Sequence, residues 1–189
     1  MEYKKYKWFF TKSGKLVVGG KNAESNDSLL RELKKTKEDY VVMHTKSPGS
    51  PFCAIISNIK EVNKSDIEEC AIFTGCFSKA WKQNLEKTSV DIFNLSQLNK
   101  SSIMKSGTWS VTGKIQTQIV KLELVLIMQE KFIRAVPKIT ANKKEIITYV
   151  CSGKIDKAEA VKNNMFNELN TEQLLSALPA GGVSFKKNG

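Results

Sequence analysis

A chain of 189 residues is long enough to bury a core of its own, as one domain or a domain with a substantial extension. Its longest apolar stretch, around Leu124 to Met128, falls far short of the ~20 residues of a membrane helix, and Lys4, Lys5 and Lys7 lead into only three apolar residues, which is no secretory core. The formal net charge of +11, concentrated toward the two ends of the chain, draws polyanions, yet it does not separate RNA from DNA, an acidic protein or a membrane surface.

The elements follow an α+β order. Trp8-Phe9-Phe10 and Leu16-Val17-Val18 are the arms of an opening hairpin (about 7–11 and 15–19) that turns at Lys12-Ser13-Gly14. Trp8 and Phe10 share one strand face and Phe9 takes the other. A first helix is expected to start near Ser25-Asn26-Asp27, whose side chains can accept from free amides, and to end in Lys34, Lys35 and Lys37. Strands at about 40–45 and 52–57 flank a Pro48-Gly49 turn. In the next helix, Ser65 and Glu68 have capping-box spacing, and Ile67, Cys70, Ala71, Phe73, Phe77 and Trp81 carry an apolar pattern around much of its circumference. This predicts a central buried helix running to Trp81.

A strand at 89–95, a loop from Gln97 to Gly107 and a strand at 108–113 come next. In the tail, Val120–Met128 and Phe132–Val136 read as strands, with Lys121 and Glu123 sharing one face of the first, and 145–151 as another. Asp156 and Asn170 are cap-like starts for two short helices. The first carries Val161 and Met165; the second, with Leu174, Leu175 and Leu178, stops at Pro179-Ala180-Gly181-Gly182. Gly182–Phe185 is a candidate last strand. The class is therefore α+β: a mixed or antiparallel sheet with a central buried helix, plus an α+β C-terminal extension packed on the core.

Three places carry chemistry. Gly19-Gly20-Lys21-Asn22 joins a strand to a helix, where glycines admit close backbone approach and a helix N-terminus favours anions. A plain connecting turn explains the same residues, and the spacing is not that of a Walker loop. As a site, Lys21 would meet backbone phosphate while Asn22 or Asn26 meets sugar or base. The turn His44-Thr45-Lys46-Ser47-Pro48-Gly49-Ser50 gathers the only histidine, a lysine and three hydroxyls. His44 could tie its ring to backbone or touch RNA by stacking or hydrogen bonding. Catalysis by His44 with Cys53, Ser47 or Ser50 lacks an elbow or an identifiable third carboxylate, and one histidine makes no His-rich metal site. Lys46 and Lys60 are simple phosphate partners. Lys79 and Lys82, with Ser78, sit at the expected end of the buried helix and can reach solvent. Trp81 reads as core and Trp109 is open between core and stacking. The four cysteines have no C-x-x-C spacing and read as buried free thiols, which goes with a reducing, cytoplasmic setting.

The His44 turn with Pro51-Phe52 resembles the RNA-binding R domain of the NFACT family, which includes the RqcH and NEMF factors of ribosome-associated quality control. Gly19-Gly20-Lys21-Asn22-Ala23 with Asn26 is similar to its G-G-[RK]-[ND]-A-x-x-N signature. Glu69-Cys70-Ala71, Ser78-Lys79-Ala80-Trp81 and Asn99-Lys100 through Gly107-Thr108 continue the match in order. The resemblance divides the chain into a core at 1–115 and, at 116–189, a tail like that of stand-alone versions of the domain, expected to pack with the core as one unit.

What the resemblance implies is a non-catalytic RNA-binding protein, without cofactor, metal, membrane or small-molecule substrate, that meets tRNA or rRNA, with the large ribosomal subunit as a further candidate partner. The other parts of complete family members, including the coiled coil, are not in this sequence, so tRNA recruitment and tailing by this chain alone are not expected. Rival readings are a DNA-binding or chromatin module and a protein-interaction adaptor. The expected footprint is Lys21, Asn22, Asn26, His44, Lys46, Ser47, Gly49, Ser50, Lys60, Lys79 and Lys82.

Overall fold

The opening hairpin pairs β1 (Lys7–Phe10) with β2 (Leu16–Gly19) in antiparallel register, Trp8 opposite Val18 and Phe9 opposite Val17. The computed structural model describes residues 1–163, 166 and 169–186. α1 spans Ala23–Lys35 and is followed by β3 (Val41–Thr45) and β4 (Cys53–Ile56), then α2 (Lys64–Cys76), α3 (Lys79–Lys82) and β5 (Lys87–Asn94). A two-stranded ladder, β6 (Leu98–Asn99) with β7 (Ser110–Val111), leads to β8 (Gln116–Lys121), β9 (Glu123–Gln129) and β10 (Phe132–Pro137). The chain continues through β11 (Thr148–Asp156), α4 (Lys157–Asn163), α5 (Thr171–Ala177) and β12 (Gly182–Lys186). Met165, expected in the first tail helix, lies outside the described residues.

Two antiparallel sheets sandwich one helix. The first has six strands in the order β1-β2-β4-β3-β5-β8; the second has four, in the order β10-β9-β11-β12. α2 packs against β3, β4, β5 and β8 of the first and against β9 and β10 of the second. Strand alternation gives the six-stranded sheet two buried faces. Phe9, Val17, Val41 and Met43 join the α2 side with Leu124, Leu126 and Val150 of the second sheet. Trp8, Val18, Val42 and Phe93 join the other side, covered by Leu29, Leu30 and Leu33 of α1. The expectation of an α+β fold around a central buried helix is met.

Several boundaries differ, each for a local reason. α1 is capped by Asn22, three residues before the expected start, and Ser25 completes the capping box at the third position. α2 is capped by Asn63 with Asp66, in place of Ser65 with Glu68. It also stops at Cys76: Ser78 has extended backbone, its Oγ accepts from the Ala80 amide, and it opens α3 as a separate turn carrying Trp81. The single strand expected over Val120–Met128 is two, β8 in the first sheet and β9 in the second, so the chain changes sheets at Leu122. The strand expected at 108–113 is only β7, and Cys151 is half-buried, unlike the other three cysteines.

α2 buries two carboxylates completely, and both are satisfied by hydrogen bonds. Asp66 accepts from the hydroxyls of Thr11 and Ser13 and from the Asn63 amide. Glu69 accepts from the Lys12 amide, Ser65 Oγ and Thr140 Oγ1 at 2.9, 3.1 and 2.8 Å. Buried acceptors are tolerated only when so partnered. Glu69 thereby ties the turn of the opening hairpin to the segment after β10.

Candidate nucleic-acid interface

The ends of β2, β3 and β4 open on a groove of about 710 Å³. The sequence folds that way because of a close approach at Gly20. Its amide bonds to the Phe52 carbonyl at 3.2 Å, and Asn26, one turn into α1, accepts from the Phe52 amide at 3.0 Å. A Cβ at Gly20 would stand 2.0 Å from Asn26 Oδ1, so only glycine lets the helix N-terminus clamp the strand. On the other wall, Gly49 has φ +108 and its carbonyl accepts from the Lys79 amide at 2.8 Å. The Lys79 stem lies where a Gly49 side chain would be. The Pro48-Gly49 turn and the Ser78-Lys79 segment, far apart in sequence, thus form one surface.

Across the groove the loop before β7 is pinned to α1 by Asp27. Its carboxylate accepts from Trp109 Nε1 at 2.8 Å and from Lys100 Nζ at 3.1 and 3.2 Å. Burial works against ionisation of Asp27, but bonds from Trp109, Lys100 and the Gly107 amide outweigh it and hold the carboxyl below its usual range. The floor is aromatic. The His44 ring lies 4.6 Å from Phe52 at a tilt of 37°, Phe93 meets Phe52 edge-on, and Trp109 lines the same groove.

Five lysines, Lys7, Lys21, Lys46, Lys79 and Lys82, line this groove against one acid, Asp91. Asp91 stands opposite His44 in the β3–β5 ladder and accepts from Thr117 Oγ1. Lys7 is the deepest cation: burial, then repulsion from Lys157 and Lys21, lowers its pKa to about 8. Its ammonium rests 4.5 Å from the centre of the Phe77 ring. Lys21, Lys46, Lys79 and Lys82 are exposed.

The expected site residues divide three ways. Lys21, Lys46, Lys79 and Lys82 converge on the groove with their side chains in solvent. Asn22, Asn26 and Ser50 also line it, but their oxygens serve the fold: Asn22 caps Ser25, Asn26 holds Phe52, and Ser50 Oγ accepts from the Thr45 amide while donating to the Pro51 carbonyl. His44 belongs to β3 and not to the turn; its Nδ1 bonds to the Thr45 carbonyl at 2.7 Å, so Nδ1 carries the proton. Burial lowers the His44 pKa against the opposing pull of backbone carbonyls and Asp91, leaving a neutral ring at pH 7. Ser47 is exposed on the turn without lining the groove, while Gly49 lines it. Lys60 does not belong here: it follows β4 at the opposite end from the turn, in a 3-10 segment Ile59–Glu61. Lys7 and Trp109 were absent from the expected set. A strand lysine between apolar residues and a tryptophan after a glycine loop are the only hints the sequence holds.

Cys53 is a poor catalytic partner for His44. Burial pushes the Cys53 thiol up to about 12, far from thiolate chemistry. Among the described residues no three His, Cys, Asp or Glu side chains gather to hold a metal ion, and no helix is long and apolar enough to cross a membrane.

Residues 5–113 match the family model described as the NFACT protein RNA-binding domain. The archaeal Rqc2 homolog aRqcH of Methanocaldococcus jannaschii is 29% identical over 202 residues, covering 98% of this chain and 29% of that protein. The chain therefore spans under a third of that relative. Among solved structures, the C-terminal part of the fibronectin/fibrinogen-binding protein from Streptococcus suis superposes with a TM-score of 0.52 over 61% of this chain and 44% of its own, at 21% identity. That likeness is one of fold alone.

Proposed function

The chain belongs to the family of NFACT protein RNA-binding domains, and from that premise we propose that it is a non-catalytic protein that grips structured RNA, tRNA or rRNA, in quality control of stalled translation. The observation that carries this reading is the convergence of five lysines from four separate segments on one groove with an aromatic floor. Cations spaced around a groove neutralise successive phosphates and release their counterions. Aromatic faces and the neutral His44 ring offer stacking to unpaired bases, the elements by which structured RNA is read. The positive end of the α1 dipole at Asn22 adds to the same field.

The ribosomal setting rests on the archaeal Rqc2 homologue, whose similarity runs through nearly the whole chain. A cytoplasmic location agrees with the four free cysteines. No turnover is ascribed to His44, which is held neutral by burial and bound to the backbone.

Ultraviolet crosslinking of the protein to tRNA, followed by mass spectrometry of the attached peptides, tests the assignment. Crosslinks are expected in the segments 44–52 and 106–111. Crosslinks confined to the strand ends around Lys138 and Lys154 would move the footprint to the C-terminal extension, and preference for an equal length of duplex DNA would favour the DNA-binding alternative.

A further inference from the structure

We propose that the narrow cleft adjoining the groove, where Lys7 and Lys21 face Arg134 of β10, is a built site for a single phosphate group. This deepens the RNA-binding reading and rests on it for the source of the phosphate, but not for the site. The cleft has a volume of about 40 Å³ and takes walls from β1, from the turn before α1, from β10 and from α5 through Ser176. Lys4, Lys7, Lys21 and Arg134 line it, and among the described residues no carboxylate does.

Two of these cations lack a counter-charge among the described residues. Arg134 Nε is fully buried without a hydrogen-bond partner among the described residues, while its guanidinium lies 4.4 Å from the centre of the Trp8 ring. Lys7 is half-buried against Phe77, and the charges nearest it are mostly further cations. An orphaned buried donor is costly, a half-buried ammonium among other cations lacks a counter-charge, and one polyoxygen anion answers both. Phosphate suits better than carboxylate because it presents oxygens in several directions to donors arriving from separate walls. The small volume admits one phosphate and excludes a base or a sugar.

Lys7 and Lys21 line both cavities. An RNA strand in the groove would thus lodge one backbone phosphate in the cleft, with Arg134 as its partner from the extension. A free or terminal phosphate would satisfy the same donors. Burial and neighbouring cations hold the Lys7 pKa at about 8; an anion in the cleft raises it, and binding weakens as pH climbs through that value.

The test uses the full chain and the Nε–H resonance of Arg134. Inorganic phosphate, against sodium chloride of equal ionic strength, should shift that resonance saturably, and tRNA should shift it the same way. Arg134→Met, which keeps a stem against Trp8 but no donors, should remove the phosphate-induced rise in the Lys7 pKa and weaken tRNA binding roughly tenfold. Lys79→Ala, in the groove only, should weaken tRNA binding and leave the phosphate response intact. Absence of any saturable response to phosphate or tRNA overturns the site; if tRNA still binds through Lys79, the RNA-binding reading survives without it. A phosphate response with no tRNA response upholds the site and assigns it to free phosphate. Should phosphate shift the resonance saturably while tRNA does not bind the protein at all, the site stands and the RNA-binding reading falls.

Discussion

Lys21 and Lys46 reach the groove from opposite walls, and neither is tied up by an ion pair among the described residues. Replacing both by alanine should weaken tRNA binding by roughly one to two orders of magnitude, lower the slope of log affinity against log salt by about 2, and leave the melting temperature nearly unchanged. Asn26 is the opposite case. Asn26→Ala leaves the Phe52 amide buried without an acceptor and should cost about 1–3 kcal/mol of stability, read as a lower urea midpoint, with RNA affinity following stability. Gly20→Ala strikes the same contact, since its Cβ falls on Asn26 Oδ1; the two changes together should cost less than their sum. His44 gives a pH signature. Its folded pKa lies below the ordinary 6.5, so the folded state binds fewer protons than the unfolded one. Its contribution to stability is complete above pH 6.5 and is lost as pH falls through 6.5 toward the folded value. The melting temperature should therefore decline from pH 7 to pH 5.5, and His44→Phe should flatten that decline. Asp27 and Asp66, both held below 3.8, lose theirs only in more acid solution.

At the scale of elements, α2 is the joint of the fold, and Glu69 is its most exposed liability. Glu69→Ala leaves the buried Thr140 hydroxyl without its acceptor and releases the Lys12 amide and the Ser65 hydroxyl from their shared partner, and should destabilise by about 1–3 kcal/mol, measurable by urea denaturation. Much of the element order was legible in the sequence: the opening hairpin and the Asn170 cap stand where turn residues put them, the buried helix is present but ends at Cys76, and the first tail strand is divided between two sheets. Cap positions were not, because Asn22, Ser25, Asn26 and Asp27 all have N-cap chemistry and only tertiary contact decides among them. In the same way Asn63-x-x-Asp66 and Ser65-x-x-Glu68 spell competing boxes two residues apart. The switch of sheets at Leu122 left no trace, since no glycine or proline interrupts the strand-like segment from Val120 to Met128. Of the groove lysines, Lys21, Lys46 and Lys79 lie in segments the sequence singled out and Lys82 lies just beside one, whereas Lys60 was grouped with them by charge alone. Charge says nothing of which end of β4 a lysine occupies, and a strand lysine such as Lys7 shows its burial only when Phe77 is folded against it.

For the whole molecule, the described residues of the C-terminal extension are bound to the rest by a shared core and by particular bonds. Gln129 pairs through its side chain with both the amide and the carbonyl of Phe10, at 2.9 and 2.8 Å, covering the open edge of β1. Trp81 Nε1 donates to the Gly182 carbonyl, and β8 completes the first sheet. We propose that core and extension unfold as one unit. Limited proteolysis should leave 116–137 protected, and a single cooperative urea transition should accompany loss of both tryptophan signal and sheet structure; rapid release of a stable fragment ending near 115 would show two independent units.

The most direct test of phosphate-led recognition is the salt dependence of tRNA affinity, measured for the natural chain and for a variant with Lys21, Lys46, Lys79 and Lys82 all changed to alanine. The natural chain should lose affinity steeply between 50 and 200 mM salt, with a slope near 4 or above in log units, and the variant should fold normally and bind weakly with a much shallower slope. A folded variant that keeps the natural affinity and slope would contradict the groove as the RNA-binding surface.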